Sequence, residues 1–306
     1  MATRHALERE AIGRVETRIY WCHVLNASTA GALETVEPSK PARVAPAHFE
    51  LARLALEQEF GERVTLDGLT GSWFIFQRAR GHRHSVDDVL TAAYALEVSP
   101  AVTRHLDLGT GIGTVGLLVL WGLGEPASLR AVEAQPVSHR LLLANIAENG
   151  LAARVQPLLG DLRELAESEP FPLITGSPPY FPTSAGIVPQ DSQKAHARFE
   201  LRGDVSDYAR AAKRHLAPDG WFVFCFPTPQ KARALAAVAG AGLSVRRVRD
   251  VIPRAGLPAL FSLFACRHAS AEADECVTDD PLVVRTAQGE LSVAMQQVRR
   301  GFGFTI

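Results

Sequence analysis

Ser177-Pro178-Pro179-Tyr180 follows directly on the apolar run Phe171-Pro172-Leu173-Ile174-Thr175-Gly176. Those residue types in that order suit the capture of a planar amine. An exocyclic amine on a base or an amide delocalises its lone pair into the adjoining π system and is a poor nucleophile. Hydrogen bonds from the amine to the Ser177 hydroxyl and the Pro178 carbonyl would hold it and favour pyramidalisation as nitrogen attacks. Consecutive prolines restrict φ, so the carbonyl is aimed before a substrate arrives. Tyr180 offers a ring for stacking, worth roughly 1–3 kcal/mol per base. The plain alternative is a proline-rich turn with a core tyrosine.

About seventy residues upstream lies Asp107-Leu108-Gly109-Thr110-Gly111-Ile112-Gly113. A nucleotide cofactor comes close to such a turn, where a Cβ would clash, so glycines suit it, and the following helix offers free N–H groups. Three readings stand for this loop alone: S-adenosylmethionine (SAM), a nicotinamide or flavin nucleotide, or a structural turn. Gly111 to Gly116 satisfies the GxGxxG nicotinamide fingerprint as well. Glu133, closing the next strand, suits the ribose hydroxyls of either cofactor. Asp107 favours SAM, because a carboxylate there can face the positively charged methionine end. So does Asp161, followed by Leu162, where an adenine amino group could donate. The Ser-Pro-Pro-Tyr segment decides between them.

These residues need a scaffold that brings strand ends together. Strands are predicted at Arg104–Leu108, Leu129–Glu133, Val155–Leu159, Pro172–Thr175, Trp221–Phe226, Val245–Val251 and Ala259–Cys266, with helices at Ile112–Leu123, Pro136–Asn149, Asp204–Leu216 and Gln230–Ala241. This alternation implies a Rossmann-like α/β fold with a mostly parallel sheet of seven strands. The loop before the last strand is too short for a parallel crossover, so that strand is expected antiparallel. Upstream, a helix over Ala47–Phe60, a hairpin within Val64–Gln77 and a helix over Val89–Leu96 form a substrate-side unit. The expected divisions are a mobile extension over 1–46 with a short helix at Thr3–Arg18, the helix and hairpin unit over 47–98, the cofactor domain over 99–268, and a linker with C-terminal extension over 269–306. The linker is expected over Ala269–Pro281.

Composition is that of a soluble globular chain of 306 residues, 47% apolar and 21% charged, with a formal net charge of −1. Nucleic acid would therefore have to meet a local basic face. Arg78, Arg80, His82, Arg83 and His84 form the densest one, with solvated surface as the alternative. Cys22, Cys225, Cys266 and Cys276 have no zinc spacing, and Cys225 and Cys266 read as core residues. No metal site is expected. No apolar stretch approaches the about 18 residues of a membrane span, and no signal peptide is evident, so the cytoplasm is the expected compartment. His5, His23, His48 and His268 read as surface residues, and no histidine pairs with a nucleophile.

From about Thr65 to Arg267 the chain resembles the bacterial tRNA adenine-N6 methyltransferases that modify an anticodon-loop adenine of a valine tRNA. Gly81-His82-Arg83-His84-Ser85-Val86-Asp87-Asp88-Val89-Leu90, the glycine loop with Ala131-Val132-Glu133, and Ser177-Pro178-Pro179-Tyr180 with Ala197-Arg198-Phe199-Glu200 carry the resemblance. It implies the class I SAM-dependent methyltransferase fold, SAM held at Asp107 through Gly113, Glu133 and Asp161, and amine capture at Ser177 through Tyr180. Arg83, Ser85, Asp87, Arg198 and Glu200 would lie at the cofactor and substrate mouth, and Thr183–Arg198 would be a mobile substrate loop. Ser177 and Phe199 depart from the family's usual Asn and His, which puts the target in question but not the amine chemistry.

The expected activity is methylation of adenine N6 in tRNA or another structured RNA. The alternatives are a release-factor glutamine amide, guanine N2 of rRNA, cytosine N4 of DNA, a non-catalytic SAM-binding adaptor, or a nicotinamide dehydrogenase. The sequence leaves the oligomeric state open.

Overall fold

The computed structural model describes residues 44–166, 169–184, 188–270 and 275–305. Most of the N-terminal extension, with the helix expected at Thr3–Arg18 and with His5, Cys22 and His23, lies outside the described residues.

The first periodic stretch forms α1 (Ala47–Phe60), closed by Gly61 at φ 64°. Its buried Phe49 packs on the ring of Phe74 at 4.9 Å and that of Phe76 at 5.9 Å. Those rings belong to a hairpin of β1 (Val64–Gly68) and β2 (Phe74–Arg78), an antiparallel sheet of its own. A loop then leads into α2 (Val86–Val98), where the Asp88 carboxylate accepts the Ser85 N–H at 2.9 Å in a capping box.

Strand and helix alternate after that: β3 (Arg104–Leu108), α3 (Thr114–Leu123), β4 (Ser128–Glu133), α4 (Pro136–Glu148), β5 (Val155–Leu159), β6 (Phe171–Gly176), α5 (Ser192–Arg198), α6 (Val205–His215), β7 (Leu216–Pro227), α7 (Lys231–Gly240), β8 (Leu243–Arg254) and β9 (Phe261–His268). β10 (Val277–Arg285) and α8 (Val293–Gly301) follow. One sheet runs in the order β10-β8-β9-β7-β6-β3-β4-β5. All its pairs are parallel except those of β9, antiparallel to both β7 and β8. The seven expected strands are present, and the antiparallel one lies between the two before it. Leu106, Leu108, Leu173 and Ile174 have no solvent exposure, as central parallel strands covered on both faces require. Cys225 and Cys266 are likewise buried. Among the described residues no helix is long and apolar enough to cross a membrane.

Two segments fold further than the sequence suggested. The expected linker yields an eighth strand from Val277. Its acidic Asp279 is matched by Arg247 of β8 at 2.8 Å and by the Tyr94 hydroxyl of α2 at 2.6 Å. The expected mobile loop contains α5, whose N-cap Asp191 accepts the Lys194 N–H at 2.9 Å while Gln193 and Ala195 are buried. Ala185–Ile187 of that loop lie outside the described residues.

Strand order reverses at β3, with β4 and β5 to one side and β6 and β7 to the other, so a crevice opens above the carboxyl ends of β3 and β6. The hairpin is fastened beside that crevice by polar side chains. Asn145 and Asn149, one turn apart on α4 and its C-cap, complete the free edge of β2. The Asn145 side-chain carbonyl accepts the Phe76 N–H at 2.7 Å and its amide donates to the Ile112 carbonyl at 2.9 Å. Asn149 accepts the Phe74 N–H at 2.9 Å and donates to the Phe74 carbonyl at 2.8 Å. Two asparagines thus stand in for a neighbouring strand. Asn145 is wholly buried, so Asn145→Ala strands a buried N–H and a buried carbonyl. Chemical denaturation of that variant should show a loss of about 2–4 kcal/mol, and a loss below about 1 kcal/mol would mean that water replaces the side chain.

Candidate functional site

The glycine loop leaves β3 with two left-handed residues, Gly109 at φ 62° and Gly111 at φ 59°. A Cβ on Gly109 would lie 2.0 Å from the Tyr208 hydroxyl oxygen, whereas one on Gly111 would meet nothing within 4 Å. The Gly111 backbone therefore presents a bare face to the cleft. Gly113 serves the helix instead, capping α3, and a Cβ there would press on Leu142 and Leu117.

Asp107, 1% exposed, holds this loop in shape. It accepts the Thr110 hydroxyl and the Thr175 hydroxyl at 2.6 Å each and the Gly116 N–H at 3.0 Å. Burial pushes its carboxyl pKa up, and the three hydrogen bonds oppose that rise. Thr175 spends its one proton on Asp107, so the contact of its oxygen with His105 Nε2 at 2.7 Å must be donated by the imidazole. Burial alone holds that imidazole neutral, with its pKa down to about 3. Asp107 borders the cleft, but its oxygens are committed to the glycine loop, α3 and β6. Asp107 thus borders the cleft and also staples the loop to its neighbours.

Glu133 closes β4, with one oxygen accepting the Gly111 N–H at 2.8 Å and the other the Gln135 N–H at 2.7 Å. Each oxygen keeps lone pairs for further donors. Burial raises its pKa against those two N–H bonds. The nearby Gln135 side-chain carbonyl oxygen is buried, its residue borders the cleft, and it has no hydrogen-bond partner among the described residues. Asp161 caps a short turn at Leu162–Glu164, with Leu162 buried. Arg163 grips it through Nε at 2.9 Å and Nη2 at 2.6 Å and holds its carboxyl below the usual range.

These features fit SAM. The bare Gly111 face accepts close approach, Glu133 can take two ribose hydroxyls, and the orphaned Gln135 oxygen can accept a donor. Leu162 and Asp161 form the far wall.

Ser177 and Pro179 line the same cleft, together with Asp107, Gly109 and Thr110. Apart from a 4.0 Å contact from the Cys225 thiol, the Ser177 hydroxyl has no partner among the described residues, and nothing there donates to the Pro178 carbonyl. Tyr180 does not line the cleft. Its hydroxyl donates to Asp87 at 2.7 Å and lies 3.1 Å from the Cys225 sulfur, and its ring meets Phe226 edge-on at 5.8 Å. Its N–H donates to the Arg198 carbonyl and its own carbonyl accepts from Gln230. The ring read from sequence as a stacking platform is locked, while its neighbour Phe181 is 43% exposed.

Of the expected mouth residues, Ser85 donates to Asp87, and Asp87 in turn holds Tyr180. Arg83 turns away to Thr65 at 2.7 Å and Asp67 at 2.8 Å, and Glu200 pairs with Arg233 at 2.5 Å, so neither faces the cleft. The basic cluster is largely neutralised: Arg78 pairs with Glu62 and Asp191, and His84 is buried, its pKa pushed down to about 4 by burial first. His268, read as surface, is part-buried between Lys213 and the Leu216 carbonyl. Sequence reasoning missed Asp88, Gln135, Ser138, Gln193, Arg202 and Tyr208, all of which border the cleft. Only Asp88, inside the motif that holds Ser85 and Asp87, carried a local signal. Among the described residues no acid, histidine and cysteine cluster could hold a metal.

No protein-family model matches the chain. It is 25% identical over 199 residues to a tRNA1(Val) (adenine(37)-N6)-methyltransferase of Actinobacillus pleuropneumoniae, covering 64% of this chain and 80% of that protein. An enzyme of the same name from Pectobacterium carotovorum is 27% identical over 239 residues, 77% of this chain and 93% of the relative. Among solved structures, a predicted O-methyltransferase of Agrobacterium tumefaciens superposes with a TM-score of 0.55 at 19% identity, covering 71% of this chain and 96% of that one. With the sheet order above, the fold is that of the class I SAM-dependent methyltransferases.

The staple makes a pH prediction. The folded imidazole of His105 titrates near 3 against an ordinary 6.5, so on acidification the unfolded chain takes up the proton first. Its share of stability is complete above pH 6.5 and drains away toward pH 3, at about 1.4 kcal/mol per pH unit. Nitrogen-15 NMR near pH 5 should find His105 neutral and protonated on Nε2, and an imidazolium signal there would overturn the donor assignment.

Proposed function

We propose that this protein is a SAM-dependent methyltransferase acting on an exocyclic amine, adenine N6 of a tRNA. The observation that carries the reading is the Ser177 hydroxyl, without a close partner among the described residues, on the wall of a cleft whose other wall is the glycine loop. The tRNA adenine-N6 methyltransferases it resembles over most of their length support the substrate.

SAM, when bound, supplies a methyl group on a sulfonium, an electrophile that a neutral amine can attack. Gly111, Glu133, Gln135 and Asp161 would hold it. Ser177 and the Pro178 carbonyl accept the two amine hydrogens of the base, which draws the nitrogen lone pair out of the ring and fixes its direction. Pro178 and Pro179, both buried, allow that carbonyl little rotation. Tyr180 acts from behind: anchored on Asp87 of α2, it fixes the end of the segment whose start holds the amine. The product amine is acidic enough to lose its proton to water, so the site needs no buried base.

Label from isotopic SAM should enter unmodified tRNA and appear as N6-methyladenosine by nucleoside mass spectrometry; label only in DNA, rRNA or protein would reject the substrate assignment. Ser177→Ala should lower kcat by roughly 10–100-fold, the value of one hydrogen bond to developing charge, with SAM affinity unchanged by calorimetry. Tyr180→Phe and Asp87→Ala break one shared bond. Each should cost about tenfold in kcat, and the double variant should be no worse than the less active single. Additive losses would separate the two residues.

A further inference from the structure

α5 follows the Ser-Pro-Pro-Tyr segment and is seated firmly. Gln193 receives Arg78 and the His82 N–H at 3.3 Å each and donates to Ser138 at 3.1 Å. His196 and Ala197 of the same helix line the cleft. Lys194 and Arg198, four residues apart, share the adjoining face. Near the site Arg78, Arg83, Arg163 and Arg233 all have carboxylate partners, and Arg202 donates to the Ala134 carbonyl at 2.7 Å. Neither Lys194 nor Arg198 has a hydrogen bond or ion pair from its side chain among the described residues. Both charges reach the neighbouring His82, where after burial they push the imidazole toward neutrality against Asp87.

An aromatic ring completes the rim. The Arg198 carbonyl accepts the Phe181 N–H at 2.9 Å, so Phe181 lies beside Arg198, one helical turn from Lys194. It packs on Phe199 at 5.7 Å and leaves 43% of itself in solvent. Two unpaired cations and an exposed ring beside a slot for one base match a polynucleotide strand, whose phosphates and neighbouring base would otherwise have no contact. In a chain of net charge −1 this local surplus is the feature that selects such a partner.

We infer that Lys194 and Arg198 clamp the phosphate flanking the target nucleotide of an RNA single strand, and that Phe181 stacks on the base next to the target. The inference rests on the RNA reading above and deepens it. Arginine offers a two-pronged donor to phosphate and lysine a point charge, while stacking tolerates any base.

Binding and steady-state kinetics on unmodified tRNA between about 50 and 200 mM salt test this. A Lys194→Ala/Arg198→Ala variant should raise KM for tRNA at least about tenfold and flatten the plot of log affinity against log salt by about 1.4, or about 0.7 for each lost single-strand contact. Phe181→Ala should weaken binding roughly 5–160-fold with the slope intact. Arg198→Lys should keep the slope near wild type. SAM affinity by calorimetry should stay within about twofold in all of them, which separates a lost contact from a lost fold. If tRNA is methylated but the double variant keeps the wild-type slope and KM, the clamp is overturned and the RNA reading stands. If the wild type labels only DNA or protein, both fall.

Discussion

One buried carboxylate sets the distance on which the site depends. Asp107 reaches from β3 to the glycine loop through Thr110, to α3 through the Gly116 N–H, and to β6 through Thr175, with His105 behind. The cofactor cradle and the amine clamp sit on adjacent strands, and nothing else described joins their side chains so directly. In-line attack tolerates little misalignment, and a displacement of about 1 Å can cost on the order of 10²-fold in rate. A charged group out of water is expensive unless its lone pairs are met, and here three donors meet them. The charge holds the glycine loop, α3 and β6 together through those three bonds.

A second set of ties couples the substrate side to this frame. Asn145 and Asn149 fasten the hairpin to α4, and Asn145 also reaches the glycine loop at Ile112. Asp87 of α2 holds Tyr180, and Gln193 links α5 to the loop before α2 and to Ser138. The elements before and after the cofactor loop therefore support opposite ends of one slot. These bonds are side chain to backbone or side chain to side chain in partly buried settings, where a missing partner costs more than a present one contributes.

Much of this was legible in residue order. Glycines at 109, 111 and 113, an acid at the end of β4 and prolines after β6 are local signals, because each answers a local backbone demand. The strands from Arg104 to Cys266 were legible for the same reason, since central parallel strands are short apolar runs bounded by turn residues. What stayed hidden depends on partners far along the chain. No local pattern shows that Asp107 turns to Thr175, that Tyr180 is claimed by Asp87, or that Arg83 is spent on Asp67. The first part of the last strand, Val277 to Pro281, reads as a polar linker until Arg247 and Tyr94 stand opposite Asp279. α5 was obscured similarly, because its seven residues are held by a cap at Asp191, an anchor at Gln193 and the burial of Ala195.

The tail after α8 reaches back to the hairpin. The Gly71 N–H donates to the Phe302 carbonyl at 2.8 Å, and a Cβ on Gly71 would strike the Gly303 carbonyl oxygen. Trp121 of α3 lies against both partners, donating to Ser72 and packing on Phe302. A segment made early thus meets one made more than two hundred residues later. During synthesis the hairpin turn keeps an open backbone edge until residues 302–304 have left the ribosome. The hairpin turn beside the cofactor frame is thereby clasped by a segment more than two hundred residues downstream.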